Sequence, residues 1–410
     1  MKNTKILIVC NHIAIGGIAK SLLSLLKALY KEGVQVDVSA LQVSDHEIKK
    51  ELMVFAHFIE IPELQVIARN PRGIKKLFLL AKRRVLWETF ALRFWNAKKT
   101  AGNDRAKRKR MFFNSKREYK LCKNSRVKID LSNYDCVISW AELMTNYILA
   151  ENIICKKKIG WVHPDYLNAG FSPEVDKKAF EKLDAIVAVS KSGEESLKKA
   201  FPDMQEKCFS VGNLLDLDGI RSASAIDTPE MGSNDFKIVT VARLQNRSKA
   251  FDRAVRICQK LRVSGRKFTW FIIGDGENKQ DILNDINRLG VCDCVVLLGH
   301  KNNPYPYMKN ADLFVLQSYY EGRPVSVDEA MALGTPVLVT DYASANEQII
   351  NNVNSFVVPN NEKDIFEKIA MIIDHPEILK NMRESLAKDA FSALTELSSF
   401  EKLIKGVMAR

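Results

Sequence analysis

Strand-like and helical segments alternate along both halves of this chain. Residues 5–10 form an apolar run that leads through a glycine turn into a segment whose leucines recur at positions 22, 25, 26 and 29, which is one face of a helix. Repeated units of this kind predict an α/β fold with parallel, doubly wound sheets, in which ligands bind at the carboxyl ends of the strands. Further strands are predicted at 34–41, 136–139, 158–162, 185–190, 208–211, 237–242, 269–273, 295–298, 313–317 and 337–339, with helices from about 251 and 278.

The length of the chain indicates more than one domain. A single hydrophobic core usually stops growing at about 250–300 residues, and this chain has 410. Asp, Ser, Pro and Gly accumulate without apolar periodicity at 214–235, which we interpret as a linker. We therefore predict a first domain at 1–213, a second at 236–385 and a last helix at 386–410.

Neither the apolar runs nor the cysteines predict a secreted or membrane-spanning protein. No run approaches the roughly 18 to 20 apolar residues that cross a bilayer. Asn11 and His12 end the first apolar run, and no cleavage site follows, so we interpret that run as a core strand. The eight cysteines are scattered without metal-ligand spacing, which favours a reducing cytoplasm.

Positive charge is concentrated in residues 69–128. This segment holds twenty-one Lys or Arg and three acids, a net +18 in a chain whose total is +13. Aromatic and aliphatic side chains are interleaved with the charges, as in helices that lie on anionic membranes. We predict a basic helical insert that docks on a membrane. The alternative is a solvated insert that packs its apolar side on the first domain, and nucleic-acid binding ranks third because no motif for it occurs.

Two glutamates, Glu321 and Glu329, lie eight positions apart between a predicted strand and a helix. Pro324 suits the first helical position, where its missing N–H costs nothing. The free N–H groups of Val325 and Ser326 would then attract phosphate, and the two carboxylates can accept hydrogen bonds from sugar hydroxyls. The pattern predicts a pocket for a sugar nucleotide. An acid-bearing helix N-terminus without a ligand is the alternative.

The wider sequence resembles a known family. Glu321, Gly322 and Glu329, followed by residues 330–337, resemble the E-x7-E signature of the retaining GT-B glycosyltransferases of family 4. Residues 241–244, 273–277 and 303–312 resemble further motifs of that family in the same order. The resemblance implies a GT-B fold with two Rossmann-like domains that face each other across a cleft. The first would bind the acceptor and the second the nucleotide sugar, with the last helix crossing back to the first domain.

The resemblance also implies an activity. We expect transfer of a hexose from a nucleoside diphosphate, with UDP favoured, to a hydroxyl of a saccharide or polyprenyl-linked acceptor, in bacterial surface polysaccharide synthesis such as that of capsule or O-antigen. The expected location is cytoplasmic and peripheral on the inner face of the plasma membrane, through residues 69–128, with no nucleic-acid partner. One alternative is a sugar-nucleotide epimerase of the same fold, which would convert the donor without an acceptor. The other is a non-catalytic membrane adaptor, which would show no turnover.

Individual residues take roles from this resemblance. Arg243 and Lys249 would neutralise the leaving diphosphate, and His163 would contact the transferred sugar. Because loop 244–248 is one residue longer than the commonest family spacing, Arg247 is a possible substitute for Lys249. The expected catalytic set is Glu321, His163, Arg243 and Lys249. The expected donor-binding set is Gly16, Gly17, Arg243, Lys249, Gly322, Pro324, Val325, Ser326 and Glu329.

Several assignments remain open at the level of sequence. Glu321 would bind the hexose hydroxyls and Glu329 the ribose, while Gly16 and Gly17 form either a simple tight turn or a close approach to the donor phosphates. Residues 274–276 are predicted to form a turn near the base. Glu347 either lines the sugar or complements a helix dipole. We expect no metal cofactor. Asp216 and Asp218 match the residues of the D-x-D pattern of metal-dependent transferases, but we assign them no metal role.

Overall fold

The computed structural model divides the chain into two compact units. It describes residues 4–14, 16–68, 84–97, 104–225, 231–232, 235–388 and 393–410. The first unit comprises Met1–Leu214 with Leu394–Arg410, and the second comprises Leu215–Ala393. Parts of the predicted linker, at 226–230 and 233–234, and of the predicted basic insert, at 69–83 and 98–103, lie outside the described residues.

The first unit is built on a parallel sheet. Its strands are β1 (Ile6–Ile13), β2 (Val36–Val43), β3 (His57–Phe58), β4 (Ile129–Asp130), β5 (Cys136–Ser139), β6 (Ile153–Ile154), β7 (Lys157–Val162), β8 (Ala185–Ala188) and β9 (Cys208–Ser210). The sheet order is β3-β2-β1-β5-β7-β8-β9, and each neighbouring pair is parallel. β4 and β6 form a separate short parallel pair. The chain therefore winds first to one side of β1 and then to the other.

Helices cover both faces of this sheet. They are α1 (Gly17–Lys31), α2 (His46–Met53), α3 (Pro62–Ala68), α4 (Leu86–Ala97), α5 (Asp104–Lys123), α6 (Met144–Glu151), α7 (Tyr166–Ala169), α8 (Pro173–Phe180) and α9 (Lys191–Ala200), with a 3-10 helix at Pro202–Lys207. Alternate residues of β1 are buried in different apolar clusters: Ile6 and Ile8 in one, Leu7 and Val9 in the other. A sheet buried on both faces explains why its strands are continuously apolar.

The second unit contains another parallel sheet. Its strands are β10 (Phe236–Val241), β11 (Phe268–Ile273), β12 (Val295–Gly299), β13 (Leu313–Leu316), β14 (Val337–Thr340) and β15 (Phe356–Val358). Their order, β12-β11-β10-β13-β14-β15, is the 3-2-1-4-5-6 order of a doubly wound nucleotide-binding fold. The helices are α10 (Leu217–Ala223), α11 (Asn246–Lys249), α12 (Phe251–Val263), α13 (Lys279–Leu289), α14 (Tyr305–Lys309), α15 (Val325–Ala332), α16 (Ala345–Gln348), α17 (Glu362–Asp374) and α18 (Ile378–Lys388).

The last helix, α19 (Ala393–Ala409), packs in the first unit although it follows the second in sequence. Phe400 is fully buried, with its ring 6.1 Å from that of Trp161 on β7. The Gly212 N–H donates a hydrogen bond to Glu396 Oε2 at 2.8 Å. The helix therefore completes the apolar layer on one face of the first sheet.

The sequence pattern located most strands to within two residues, but one prediction was wrong. Asn11 and His12 do not end the first strand, which continues to Ile13 because its backbone still pairs there, with His12 opposite Gln42. A backbone ladder does not require apolar side chains once both residues lie at the exposed strand end. The short strands β3, β4, β6 and β15 were not predicted.

Within the residues that the structure describes, no helix combines the length and the apolar character that crossing a bilayer requires.

Candidate functional site

The topological switch point of the second sheet lies between β10 and β13. These strands are neighbours, with Ile238 opposite Leu313, but the chain leaves them towards opposite edges of the sheet. Loops that diverge in this way leave a crevice beyond the carboxyl ends of the strands, where doubly wound folds bind their ligands. The loops concerned, 242–245 and 317–324, carry several of the predicted donor-binding residues.

Two glycines fix the loop that follows β10. The Leu244 N–H donates to the Asp275 oxygen at 3.0 Å, so this loop lies against the turn after β11. A Cβ on Gly274 would lie 2.0 Å from the loop backbone, and one on Gly276 would lie 2.4 Å from it. Only glycine permits so close an approach. The Arg243 side chain is left exposed at the strand end.

The structure brings Lys249 and Glu321 together. The Lys249 ammonium forms an ion pair with Glu321 Oε1, and the two side chains are only 19% and 11% exposed. Lys249 ends α11, and its carbonyl accepts a hydrogen bond from Gln317 Nε2 at 3.1 Å. Ala250 follows in the left-handed region, with φ of 52°, and separates α11 from α12. Lys249, which was predicted to neutralise the diphosphate, and Glu321, which was predicted to bind the sugar, are therefore in contact with each other in the crevice.

Hydrogen bonds from three directions hold the Glu321 loop. Ser318 Oγ donates to Glu321 Oε1 at 2.5 Å. The Tyr319 N–H donates to the Ser248 oxygen at 2.7 Å, which ties the β13 loop to α11. Asn360 Nδ2 donates to the Ser318 oxygen at 3.2 Å. The carboxylate is therefore positioned by its surroundings rather than by its own loop alone.

Arg253, a buried residue of α12, also holds the Glu321 loop. Its side chain is 3% exposed and donates to the Gln317 oxygen and, at 2.8 Å, to Asn360 Oδ1. Its guanidinium also lies 4.7 Å from the centre of the Tyr319 ring. Burial lowers the pKa of Arg253 from its ordinary value. Because its hydrogen-bond partners are backbone and amide oxygens of the protein, Arg253 has a structural role and holds this loop in place.

Helix α15 begins one residue later than predicted. Pro324 is the N-cap, with φ of −70° and ψ of 115°, and Val325 is the first helical residue. The extended ψ excludes Pro324 from the helix, although its carbonyl accepts the Val327 N–H at 3.1 Å. Gln348 Nε2 donates to the same carbonyl at 3.3 Å. The first-turn N–H groups of Val325 and Ser326 still follow Glu321 and the N-cap Pro324 closely in sequence, as the phosphate hypothesis requires.

Glu329 lies in the second turn of α15 and is 2% exposed. The hydroxyl of Tyr305, at the start of α14, donates a hydrogen bond to Glu329 Oε1 at 2.9 Å. This bond connects two of the motifs that resemble the family, 303–312 and 321–334. A carboxylate can accept several hydrogen bonds, as recognition of sugar hydroxyls requires.

Acidic charge is balanced locally around this helix. Asp328, 2% exposed, accepts from Arg323 Nε at 3.2 Å. The pKa of Tyr342 is raised well above its ordinary value by burial and then by the nearby Glu321 and Asp328, with Arg323 opposing. Glu321 and Asp328 are thus near enough to act on one tyrosine, and Lys249 and Arg323 offset their charge.

The first unit has a corresponding crevice position between β1 and β5. The turn after β1 contains Gly16, with φ of 158° and ψ of 172°, a combination that is essentially restricted to glycine. A Cβ there would meet nothing within 4 Å. Gly17 is the first residue of α1, and both glycines are exposed. The geometry accounts for a glycine turn and leaves its backbone accessible.

His163 follows β7 at the same edge of this sheet. Its Nδ1 lies 3.8 Å from Glu142 Oε2, and its backbone N–H donates to that oxygen at 3.4 Å. The imidazole also meets the Trp140 ring edge-on, with 5.8 Å between centres. Burial by itself would raise the pKa of Glu142, but the interactions with His163 outweigh it and hold that pKa below its ordinary value. The His163 side chain is 11% exposed.

The other residues considered from the sequence lie in different surroundings. Asp216 is the N-cap of α10, where its Oδ1 accepts the Gly219 N–H at 3.3 Å. Glu347 is exposed in the first turn of α16. Arg247 lies partly buried in α11, where its Nη2 has no hydrogen-bond partner among the described residues. Across the described ranges, no group of three or more His, Cys, Asp or Glu side chains is arranged to hold a metal ion.

Two residues that sequence reasoning missed bear directly on the predicted site. Tyr305 orients Glu329, and Glu142 pairs with His163. Tyr305 lies inside a recognised motif, so its position was a usable signal. Glu142 follows β5 by three residues and lies near the carboxyl edge of the sheet, where the fold itself predicts functional residues.

The sequence of the second unit matches a family model. Residues 226–390 match the model described as glycosyl transferases group 1. Both crevice loops and helices α14 and α15 lie inside the matched residues.

Relatives with curated names are also glycosyltransferases. An N-acetylgalactosaminyltransferase of Campylobacter jejuni, named for an N-acetylgalactosamine-N,N'-diacetylbacillosaminyl-diphospho-undecaprenol acceptor, is 26% identical over 244 residues, which cover 58% of this chain and 63% of the relative. An amylovoran biosynthesis glycosyltransferase of Erwinia amylovora is 31% identical over 35% of this chain and 37% of its own length. The chain thus spans less than two thirds of these relatives.

Solved structures show the fold of the whole chain. The Anabaena protein HepE, crystallised with UDP and glucose, aligns with a TM-score of 0.68 and 16% identity over 98% of this chain and all of HepE. TarM of S. aureus aligns with a TM-score of 0.67 and 14% identity over 98% of this chain and 99% of its own. The fold is therefore GT-B, which confirms the predicted fold class.

Proposed function

We propose that this chain is a retaining glycosyltransferase of family 4 that transfers a hexose from a nucleoside diphosphate, with UDP favoured, to a hydroxyl of a lipid-linked or saccharide acceptor in bacterial surface polysaccharide synthesis. One observation carries the proposal: in the crevice of the second unit, Lys249 and Glu321 meet just before the first turn of α15. The E-x7-E spacing supports retention. Curated relatives named for undecaprenol diphosphate acceptors support the lipid-linked acceptor.

The diphosphate is the part of the donor that requires positive charge. When the bond between the anomeric carbon and the phosphate oxygen breaks, negative charge develops on the leaving diphosphate. Arg243, Lys249 and the N–H groups of Val325 and Ser326 supply cations and oriented donors for that charge. Groups held in place before the reaction need no reorganisation during it, which is why such electrostatic stabilisation is effective. No metal cofactor is part of this proposal.

The two glutamates bind different sugars of the donor. Glu329, fixed by Tyr305, binds the ribose hydroxyls, and Glu321 binds the hexose hydroxyls. Lys249 neutralises Glu321 in the free protein, and a bound diphosphate gives Lys249 a second anionic partner. Glu321 can then accept hydrogen bonds from the hexose and orient its anomeric carbon for the acceptor oxygen.

The first unit supplies the remaining groups of the proposal. His163 contacts the transferred sugar, as the family resemblance implies, and Glu142 Oε2 lies 3.8 Å from its Nδ1. Gly16 and Gly17 present accessible backbone at the turn after β1. These assignments concern positions at the carboxyl edge of the first sheet, where an acceptor or donor group is expected in this fold.

Membrane association through residues 69–128 belongs to the same proposal. On α4, Trp87 is 73% exposed and Phe90 is 55% exposed, whereas Glu88 between them is buried. Exposed aromatic side chains on a basic segment suit the headgroup layer of an anionic membrane. The protein should pellet with anionic vesicles, pellet much less with neutral ones and be released by salt. Replacing Lys107, Arg108, Lys109 and Arg110 with Gln should weaken pelleting but leave turnover on a short soluble acceptor intact.

Thermal unfolding against a panel of sugar nucleotides tests the donor. A ligand at a hundred times its dissociation constant stabilises a protein by about 2.7 kcal/mol, which is readily measured. The stabilising nucleotide sugar is then incubated with candidate acceptors, and product is scored by mass spectrometry. Conversion of the donor without any acceptor would identify an epimerase, and stabilisation by no member of the panel would contradict the proposal.

A further inference from the structure

A cavity of about 330 Å³ lies in the first unit between α5, α8 and the turn before α4. Its walls carry five cationic side chains and one acidic one: Arg84, Lys116, Lys120, Lys123, Lys178 and Glu174. The volume is at the lower end of the range of small-molecule sites. None of these residues belongs to the proposed transfer site.

The positive charge of the cavity results from helix geometry. Lys116, Lys120 and Lys123 are spaced i, i+4 and i+7 on α5, which places them on one face of the helix. Lys178 lies on α8, which packs against α5, and Arg84 lies just before α4. Cations from three separate elements therefore converge on one cavity.

Little acidic charge offsets these cations. Lys120 pairs with Glu88 at 2.7 Å. Among the described residues, no carboxylate lies at ion-pair distance from Arg84, Lys116, Lys123 or Lys178. Two of the lysines instead face aromatic rings: Lys116 lies 5.3 Å from the Phe112 ring and Lys123 lies 5.8 Å from the Tyr119 ring. Like charges gathered around one cavity repel each other, and a bound anion would relieve that repulsion.

The cavity is connected to the exposed aromatic face of α4. Lys120 Nζ contacts both Glu88 Oε1, at 2.7 Å, and the Arg84 oxygen, at 3.5 Å, so α5 is joined to the first turn of α4. Trp87 and Phe90 are exposed on that helix, within about two turns of Arg84. An anion-binding cavity beside an exposed aromatic face fits a ligand whose phosphate is attached to a membrane.

We propose that this cavity is a binding site for a phosphate ester, and that its source is the head group of an anionic phospholipid. The cations of α5, α8 and Arg84 surround the phosphate, and Trp87 and Phe90 enter the headgroup layer. Only the choice of a lipid as the source rests on the membrane association proposed above. Recognition of phosphate itself depends on neither that association nor the transfer reaction.

Lysine acetylation with a water-soluble reagent, read by mass spectrometry, tests the site in the intact 410-residue chain. Inorganic pyrophosphate should slow the acetylation of Lys116, Lys123 and Lys178 several-fold relative to chloride at equal ionic strength. Lys109, exposed on the same helix, and Lys199, exposed on α9, should react at unchanged rates. Lys249 reports the proposed donor site in the same samples, so failure of one site is distinguished from failure of the other.

Vesicles identify the source of the phosphate. Phosphatidylglycerol vesicles should protect the three cavity lysines, and phosphatidylcholine vesicles should not. Protection by pyrophosphate alone would retain a phosphate site and reject the lipid as its source. Equal protection of Lys199 and the cavity lysines, or no protection by either probe, would overturn the proposal.

A pair of matched variants separates the cavity from net charge. Lys116→Gln/Lys123→Gln/Lys178→Gln removes three charges from the cavity, and Lys31→Gln/Lys199→Gln/Lys402→Gln removes three exposed charges elsewhere in the first unit. The first variant should lose phosphatidylglycerol binding several-fold more than the second. Equal losses would show that charge alone attracts the protein. If the cavity variant fails to fold, the acetylation of the wild-type protein still decides.

Discussion

The two units share a sheet topology but differ in the chemistry at its edge. In each, a crevice position lies where the winding reverses, between β1 and β5 in the first unit and between β10 and β13 in the second. In the second unit this position carries Arg243, the Lys249–Glu321 pair and the first turn of α15. In the first unit it carries an accessible glycine turn and, after the next strand, the Glu142–His163 pair.

The difference teaches that topology predicts where a ligand binds and side chains predict which ligand. Two cations and a helix N-terminus favour a doubly charged phosphate group. An imidazole and a carboxylate offer hydrogen-bonding groups without an added cation, which suits hydroxyl groups. We therefore propose that the same backbone arrangement serves an anionic ligand in one unit and a neutral one in the other. Four measurements test this contrast, from the largest expected effect to the smallest.

Arg243→Ala should cause the largest loss. Removing one preorganised group that stabilises developing charge usually lowers turnover by about 10²–10³-fold, and Arg243 has an exposed side chain free of crowding at the strand end. Release of nucleoside diphosphate during transfer measures the rate. Arg288→Ala, which removes an exposed arginine of the same unit paired with Asp285, is the control and should keep wild-type turnover. A rate near that of the wild type in Arg243→Ala would remove this residue from the mechanism.

Stability should depend on pH through a buried acid of the first unit. Asp176 is 2% exposed, and burial raises its pKa to about 6, against the hydrogen bonds from Tyr147, Tyr166 and Ser172 that lower it. Since the folded pKa lies above the ordinary value of 3.8, this group stabilises the fold fully below about pH 4 and less as pH rises through 6. The loss amounts to roughly 3 kcal/mol.

Asp176→Asn should abolish this pH dependence. Chemical unfolding at several pH values between 4 and 7 measures it, with the wild type losing stability across the range and the variant losing less. Asp203→Asn, at an exposed position of the same unit, is the control and should behave like the wild type. Parallel curves for the wild type and Asp176→Asn would show that the carboxyl is already ionised at pH 4.

How far the sequence predicted the site depends on how local each signal is. Glu321, Gly322, Pro324, Val325, Ser326 and Glu329 lie within nine consecutive positions after a strand, so their shared location followed from one strand–turn–helix pattern. The Lys249–Glu321 pair joins residues 72 positions apart, and Tyr305–Glu329 joins residues 24 apart. Such contacts depend on which strands are neighbours, which the sequence pattern did not give.

The same reasoning explains the errors in the fold. Strand β1 continues through Asn11 and His12 because backbone pairing with β2 holds it there. The short strands β3, β4, β6 and β15 carry too few residues for a period-2 pattern to be recognised. Asp45, Asp216 and Asn361 each cap a helix, so polar residues that look like candidate ligands in sequence can serve the backbone instead.

Glu329→Ala and Glu321→Ala should separate nucleotide binding from transfer. Glu329→Ala removes a buried acceptor proposed to hold the ribose and should weaken the binding of free nucleoside diphosphate by about 1–3 kcal/mol. Glu321→Ala should leave that binding unchanged, because the free diphosphate carries no hexose, yet slow transfer. Calorimetry with the diphosphate and a transfer assay measure the two effects.

Exposed Glu384 provides the control for both, as Glu384→Ala should bind and react like the wild type. Tyr305→Phe should reproduce part of the Glu329→Ala effect, because it removes the hydroxyl that orients the carboxylate at 2.9 Å. Binding as tight as the wild type in Glu329→Ala would show that the ribose lies elsewhere.

A chelator should have the smallest effect, namely no loss of turnover. In the second unit the diphosphate is proposed to be compensated by Arg243, Lys249 and the first turn of α15, which together supply the positive charge that a divalent ion provides in other transferases. Asp216, the first acid of the D-x-D pattern, is already the cap of α10, with its Oδ1 accepting the Gly219 N–H. Initial rates with and without EDTA measure the effect, with the chelator's calcium complex as the control for ionic strength. If EDTA abolishes turnover and manganese or magnesium restores it, charge compensation in the second unit requires a metal, and Asp216 and Asp218 become the first residues to replace.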